Sequence, residues 1–137
     1  MKCLLQRVTQ ASVTVAGEAV GEIDQGLLVL VGVEPEDAEQ TVTRMAERLL
    51  RYRVFSDHEG KMTLNVAQVQ GSILLVSQLT LAADTTSGNR PGFSTAAPPE
   101  QASNLCDQLA DALRKGDVRA ETGRFGADMQ VALVNDG

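Results

Sequence analysis

Two segments of this chain, GLLVLVGV at residues 26–33 and SILLVSQLTL at 72–81, limit its fold more than any other feature. Each contains a strand-length aliphatic run with no polar alternation. A strand with one face in water alternates apolar and polar side chains, so these two strands must be covered on both faces. The rest of a 137-residue chain has to supply that cover.

Two amphipathic helices are available for it. Val42, Met45, Ala46, Leu49 and Leu50 recur at helical spacing, with Pro35 placed near the first turn and acidic residues enriched there. Ala102, Leu105, Cys106, Leu109, Ala110 and Leu113 form a second apolar stripe, opened by Pro98-Pro99-Glu100 and closed by Gly116. Residues 2–8, 12–16 and 19–23 read as further strands, with a hairpin turn at Gly17. SDHEGKMTLNV reads as a turn and a short strand. Met129, Val131 and Leu133 alternate in a strand that runs to the last residue. With no repeat and no linker, residues 1–137 read as a single α+β domain, long enough to bury about two-thirds of its unfolded surface. Ala82 to Pro99 has no periodic segment, and so long a loop in a compact domain points to function or disorder.

Composition removes several classes of function. A hydrophobic content of 43% in short runs leaves no stretch near the ~20 residues of a membrane span. The N-terminus lacks the apolar core of a secretory signal, so the expected location is cytoplasmic. Cys3 and Cys106 are too few for a disulfide framework and read as small core residues. No metal-ligand spacing, phosphate-binding loop or dinucleotide fingerprint occurs, and neither metal nor cofactor is expected. A net charge of −6 weighs against a broad grip on nucleic acid, and no DNA partner is expected, though contact with one RNA end is compatible with it. Arg44, Arg48 and Arg51 share one helix face. They read either as a solvated face beside Glu39 and Glu47 or as a small phosphate-facing stripe.

His58 is the one histidine, and SDHEGK is a turn. A solvated loop histidine removes the usual base for a Ser or Thr nucleophile. Interest therefore falls on the polar end of the second apolar run, Ser77-Gln78-Leu79-Thr80, followed by a loop around Gly88, Arg90 and Pro91. On a strand, Gln78 and Thr80 would share one face and Ser77 and Leu79 the other. These polar groups could satisfy one another. They could instead present backbone N–H groups and an amide at a cleft, where a carbonyl oxygen gains charge during acyl transfer.

SQLTL followed by NRPGF, the opening QRV at 6–8, and the ending FGADMQVALVNDG together resemble the D-aminoacyl-tRNA deacylase (D-tyrosyl-tRNA deacylase) family, in order and along the whole chain. The resemblance implies a homodimer of a small β-barrel-like mixed sheet with two helices. It implies hydrolysis of the ester between a D-amino acid, or glycine, and the 3′ end of tRNA. The expected partner is the acceptor end of aminoacyl-tRNA, with each active site at the subunit interface.

Carried over residue by residue, Ser77, Gln78, Leu79 and Thr80 are the catalytic segment. Gly137, Arg7, Phe93 and Met129 are substrate-binding. Gly137 stands for the glycine of a Gly-Pro pair with a cis bond whose carbonyls refuse L side chains by sterics, and Arg7 for the arginine that braces it. The backbone amides of Gln78 and Leu79 are the expected oxyanion donors, with the tRNA 2′-hydroxyl helping to activate water. Pro91 and Phe93 are expected to shape the rim, Phe93 reading equally well as core.

Two departures stand out. Position 79 is Leu where the family usually has Phe, which removes any stacking on the adenine. The family also continues past Gly137 with Pro-Val-Thr, so a chain ending there is expected to discriminate between enantiomers less well. Two other readings stay open at the level of sequence: a non-catalytic dimeric module binding a nucleotide or partner, and an esterase with Thr80 as nucleophile.

Overall fold

The computed structural model describes all 137 residues. Its order is β1 (Lys2–Val15), β2 (Glu18–Ile23), β3 (Gly26–Gly32), α1 (Glu39–Arg51), β4 (Phe55–Ser56), β5 (Met62–Leu64) and β6 (Ser72–Ser77). A 3₁₀ turn (Leu79–Ala82), α2 (Pro99–Lys115), β7 (Ala120–Thr122) and β8 (Met129–Asn135) complete it.

The sheet runs β2-β1-β3-β6-β7, with β8 added to β1, while β4 and β5 pair separately. β3 and β6 are parallel, in register from Gly26 opposite Ser72 to Val31 opposite Ser77. A parallel pair needs a long crossover, and α1 lies within it. The two edge strands of the sheet nearly meet: a Cβ on Gly21 of β2 would lie 2.4 Å from the Thr122 carbonyl oxygen of β7. The sheet is therefore an almost closed, barrel-like mixed sheet.

That curvature accounts for the uninterrupted apolar runs. Leu27, Val29 and Val31 of β3 and Ile73 and Leu75 of β6 face outward, into a cluster with Val42, Ala46 and Leu49 of α1 and Leu105, Leu109 and Leu113 of α2. Leu28, Leu74 and Val76 point the other way and fill the barrel with Val8, Val13 and Ile23. Both faces of both strands are dry, and the area rule makes each such aliphatic side chain worth about 1.5–3 kcal/mol.

Several local expectations need correction. β1 does not break between residues 8 and 12; it is one strand of 14 residues, with register irregularities at Val8/Gln10 against β8 and at Val13/Thr14 against β2. Such irregularities bend a strand and increase its twist, so β1 can pair with β3 at one end and lie between β2 and β8 at the other. Pro35 lies in a turn before α1, closed by the Asp37 N–H donating to the Glu34 carbonyl at 3.0 Å, and the helix starts at Glu39. β7 is a strand of three residues, too short for a periodic signal. β8 ends at Asn135, not at the last residue. α2 begins at Pro99, where a missing N–H costs nothing, and is capped by Gly116.

Candidate active site

The strand predicted over 72–81 stops at Ser77. Its last ladder-like bond is the Gln78 N–H donating to the Val31 carbonyl at 2.7 Å, after which residues 79–82 coil into the 3₁₀ turn. Two expectations change as a result. Gln78 and Thr80 are not neighbours on a strand face; they meet across the turn, where Gln78 Nε2 donates to Thr80 Oγ1. The Gln78 N–H is also already committed to Val31, so it is not an oxyanion donor. The first residues of a 3₁₀ turn lack an i−3 carbonyl within the turn, which leaves the N–H groups of Leu79 and Thr80 as the open pair. Both residues are exposed, Leu79 by 52%.

Beside this turn lies a cavity of about 440 Å³, in the size range of small-molecule sites. Ser77, Gln78 and Leu79 stand on one side of it. Val31, Val33 and Val76 come from the ends of β3 and β6, Pro99, Ala102 and Cys106 from α2, and Met129 and Val131 from β8. Phe125, 40% exposed, stands at the remaining side. Of its 15 lining residues, 11 are hydrophobic, so the cavity suits a flat apolar face and not a phosphate. Burial pushes the Cys106 thiol up to about 11 and Cys3 to about 12, so neither is a thiolate at neutral pH. Cys106 is thus an inert wall of the cavity and not simply core.

Sequence reasoning placed Met129 here but missed Ala102, Cys106, Val31 and Phe125. Ala102 and Cys106 are spaced i, i+4 on the stripe of α2, which is also the pattern of plain core. Only the neighbouring β8 shows that space remains in front of them.

The other named residues lie elsewhere. Arg7 is opposite Leu27, whereas Ser77 is opposite Val31, so they are four residues apart along β3, about 13 Å. At that far end Arg7 is fully engaged. Its Nε donates to the Asp136 carbonyl at 2.9 Å and its Nη1 to the Val54 carbonyl at 2.6 Å, while the Asp136 N–H donates back to the Arg7 carbonyl at 2.8 Å. Arg7 therefore ties down the residue before Gly137, and Gly137 is exposed at the end of the sheet away from the cavity.

Phe93 is not core; it is 44% exposed and does not line the cavity. The Ala82–Pro99 loop that carries it is built: Asp84 and Gly92 exchange backbone hydrogen bonds at 2.8 and 2.9 Å, Thr95 Oγ1 donates to the Ala82 carbonyl at 2.6 Å, and the Ala97 N–H reaches the Val33 carbonyl at 2.9 Å. Hydrogen bonds from Thr86 hold the Asp84 carboxyl below its usual range. His58 is exposed in the β4–β5 hairpin, away from the cavity.

The family model described as D-Tyr-tRNA(Tyr) deacylase matches residues 4–137. The chain belongs to this deacylase family. Proteins named D-aminoacyl-tRNA deacylase from Escherichia coli (strain K12 / DH10B) and Shigella boydii serotype 18 (strain CDC 3083-94 / BS512) are each 59% identical over 137 residues, covering 100% of this chain and 94% of theirs. A solved structure described as c-Myc DNA Unwinding Element Binding Protein is 42% identical, with a TM-score of 0.93 over 100% of this chain and 93% of that one. Another, of a probable eukaryotic D-amino acid tRNA deacylase, is 15% identical with a TM-score of 0.85 over 98% and 94%, a likeness of fold alone. The deacylase fold thus persists where most side chains have changed. No helix of this family member is long and apolar enough to cross a membrane.

Proposed function

We propose that this protein is a D-aminoacyl-tRNA deacylase, which hydrolyses the ester between a D-amino acid, or glycine, and the 3′-terminal adenosine of tRNA. The observation that carries this reading is the position of Ser77, Gln78 and Leu79 at an apolar cavity, with Thr80 next in the turn, in a chain of that family. The adenine enters the cavity between the α2 wall and Met129, and the ester carbonyl stays at the mouth near the Leu79 and Thr80 N–H groups. Water adds to the carbonyl carbon, and the oxygen that becomes negative is held by those two donors. The bond from that carbon to the ribose 3′-oxygen then breaks. The 3′-oxygen takes a proton, releasing the amino acid and a tRNA with a free 3′-hydroxyl.

No protein side chain at the cavity serves as a general base, and the ribose 2′-hydroxyl, on the carbon next to the one that bears the ester oxygen, orients and activates the water. An esterase using Thr80 as nucleophile is disfavoured on the same ground. The Thr80 oxygen receives a hydrogen bond from the Gln78 amide, which lowers its nucleophilicity, and His58 is elsewhere. Thr80 instead fixes the Gln78 side chain. Replacing Thr80 by Val is expected to slow deacylation roughly ten-fold or less, the size of one neutral hydrogen bond. Complete loss of activity in a folded Thr80→Val protein would reinstate the nucleophile.

Arg7, Asp136 and Gly137 are far from the cavity of their own chain, which favours a second copy bringing them to it. We therefore read the protein as a homodimer with two composite sites, working on aminoacyl-tRNA in the cytoplasm. Leu79 acts through its N–H, so the Leu in place of Phe leaves the oxyanion site intact. The deciding assay is release of tyrosine from D-tyrosyl-tRNA and L-tyrosyl-tRNA. Hydrolysis of the D ester with the L ester spared is expected; no turnover of either by a folded dimer would leave a binding module.

A further inference from the structure

Residues 44–53 carry four arginines and one acid, a net charge of +3 within a chain of net −6. Arg44, Arg48, Arg51 and Arg53 are all exposed, and none has a carboxylate within 4.0 Å. At 100° per residue, Arg44, Arg48 and Arg51 fall within an arc of about 60° on α1, opposite the buried Val42, Ala46 and Leu49. The Arg48 guanidinium lies over the Tyr52 ring at 5.9 Å from its centre, and Tyr52 is itself 51% exposed.

The helix dipole explains part of this arrangement. Cations in the last turn are stabilising, and Arg48 and Arg51 are there. The effect fades within one turn, however, so it gives no account of Arg44 in mid-helix or of Arg53 beyond the end. A concentration of unpaired guanidiniums on an otherwise acidic surface costs repulsion without return, unless an anion is drawn to that one place.

We propose that this arginine face of α1 holds the phosphate backbone of the tRNA acceptor arm, an assignment that rests on the deacylase reading. The cavity is too apolar to grip phosphates, so it can accept the terminal adenosine but not secure the polynucleotide that follows. The arginine face spans about 10 Å from Arg44 to Arg51, long enough to meet successive phosphates. The exposed Tyr52 ring beside Arg48 adds an aromatic face of the kind that bases pack against. The face also leads to the braced end of the molecule: Arg53 precedes Val54, whose carbonyl receives the Arg7 bond beside Asp136 and Gly137. Such a grip reads no sequence, so tRNAs carrying the same D-amino acid are handled alike.

The test compares the wild-type chain with Arg44→Gln/Arg48→Gln/Arg51→Gln, since Gln keeps helix propensity. Two esters are used, D-tyrosyl-tRNA and 3′-O-D-tyrosyl-adenosine, the latter without phosphate. For the tRNA ester at low salt, KM should rise roughly ten-fold or more with kcat within two-fold, and the slope of log KM against log salt should become shallower by about two. The nucleoside ester should be cleaved at the wild-type rate. An unchanged KM and salt slope for tRNA would overturn the assignment, as would an equal loss on both esters. Tighter binding of poly-L-glutamate than of an acceptor minihelix would also overturn it, in favour of an acidic protein partner. Failure of the wild-type protein on both esters would remove the deacylase reading itself, and this assignment with it.

Discussion

D-tyrosyl-tRNA whose terminal ribose has hydrogen in place of the 2′-hydroxyl should lose roughly 10²-fold or more in turnover, with KM little changed. That is the usual size of a lost acid–base participant in the transition state. The reasoning is one of elimination on the structure. The cavity and the turn beside it offer two uncommitted N–H donors, a Ser, an amide and a Thr whose oxygen is already bonded by that amide. None of these accepts a proton from water at neutral pH. The two thiols are held protonated by burial, and His58 is away in a hairpin. The substrate itself then carries the missing group. Single-turnover rates with 3′-aminoacylated 2′-deoxy and ordinary tRNA separate chemistry from binding. Equal rates would show that the protein supplies the base and would favour the Thr80 esterase.

Gly26→Ala should leave no folded protein, a destabilisation of more than about 4 kcal/mol. An added Cβ would lie 1.8 Å from the Ser72 carbonyl oxygen and 2.7 Å from its nitrogen. Both are backbone atoms of β6, held in register with β3 and by the Ser72 N–H donating to the Gln25 carbonyl at 3.0 Å. A flexible side chain could swing aside; this pair cannot move without parting the two central strands. Thermal unfolding by circular dichroism, alongside soluble yield, reads the result. A melting temperature within a few degrees of wild type would mean that β3 and β6 do not meet as described. Gly60 offers the contrast, since nothing lies within 4 Å of a Cβ there and only its φ of +81° resists substitution.

Much of the architecture was legible in the residues because its signals are local. The two aliphatic runs could only be strands covered on both faces, and they are the centre of the sheet. The helical stripes placed α1 and α2, and Pro98-Pro99 and Gly116 marked the ends of α2. The barrel-like sheet with two helices came from the family resemblance, and the fold agrees. What failed were features with no local period. β7 is three residues long, and its pairing to β6 is decided by what packs around it. β1 looked interrupted at Thr9-Gln10-Ala11 because a strand that changes partners also changes which residues face the core.

The site divides in the same way. Which segment to examine was readable, since Ser77-Gln78-Leu79-Thr80 is a polar end on a buried run, while Arg7 was singled out only by the family resemblance. Their geometry was not. Whether residue 78 continues a strand or starts a turn depends on the Val31 carbonyl, 47 positions earlier in the chain, which takes its N–H and thereby shifts the open donors to Leu79 and Thr80. The sequence alone determined that two dry strands and two amphipathic helices exist, because hydrophobic periodicity is written into neighbouring residues. Only the tertiary structure decided that Ala102 and Cys106 face a cavity and that Arg7 binds the chain's end. Open space and long-range hydrogen bonds belong to pairs of segments, and neither segment carries them by itself.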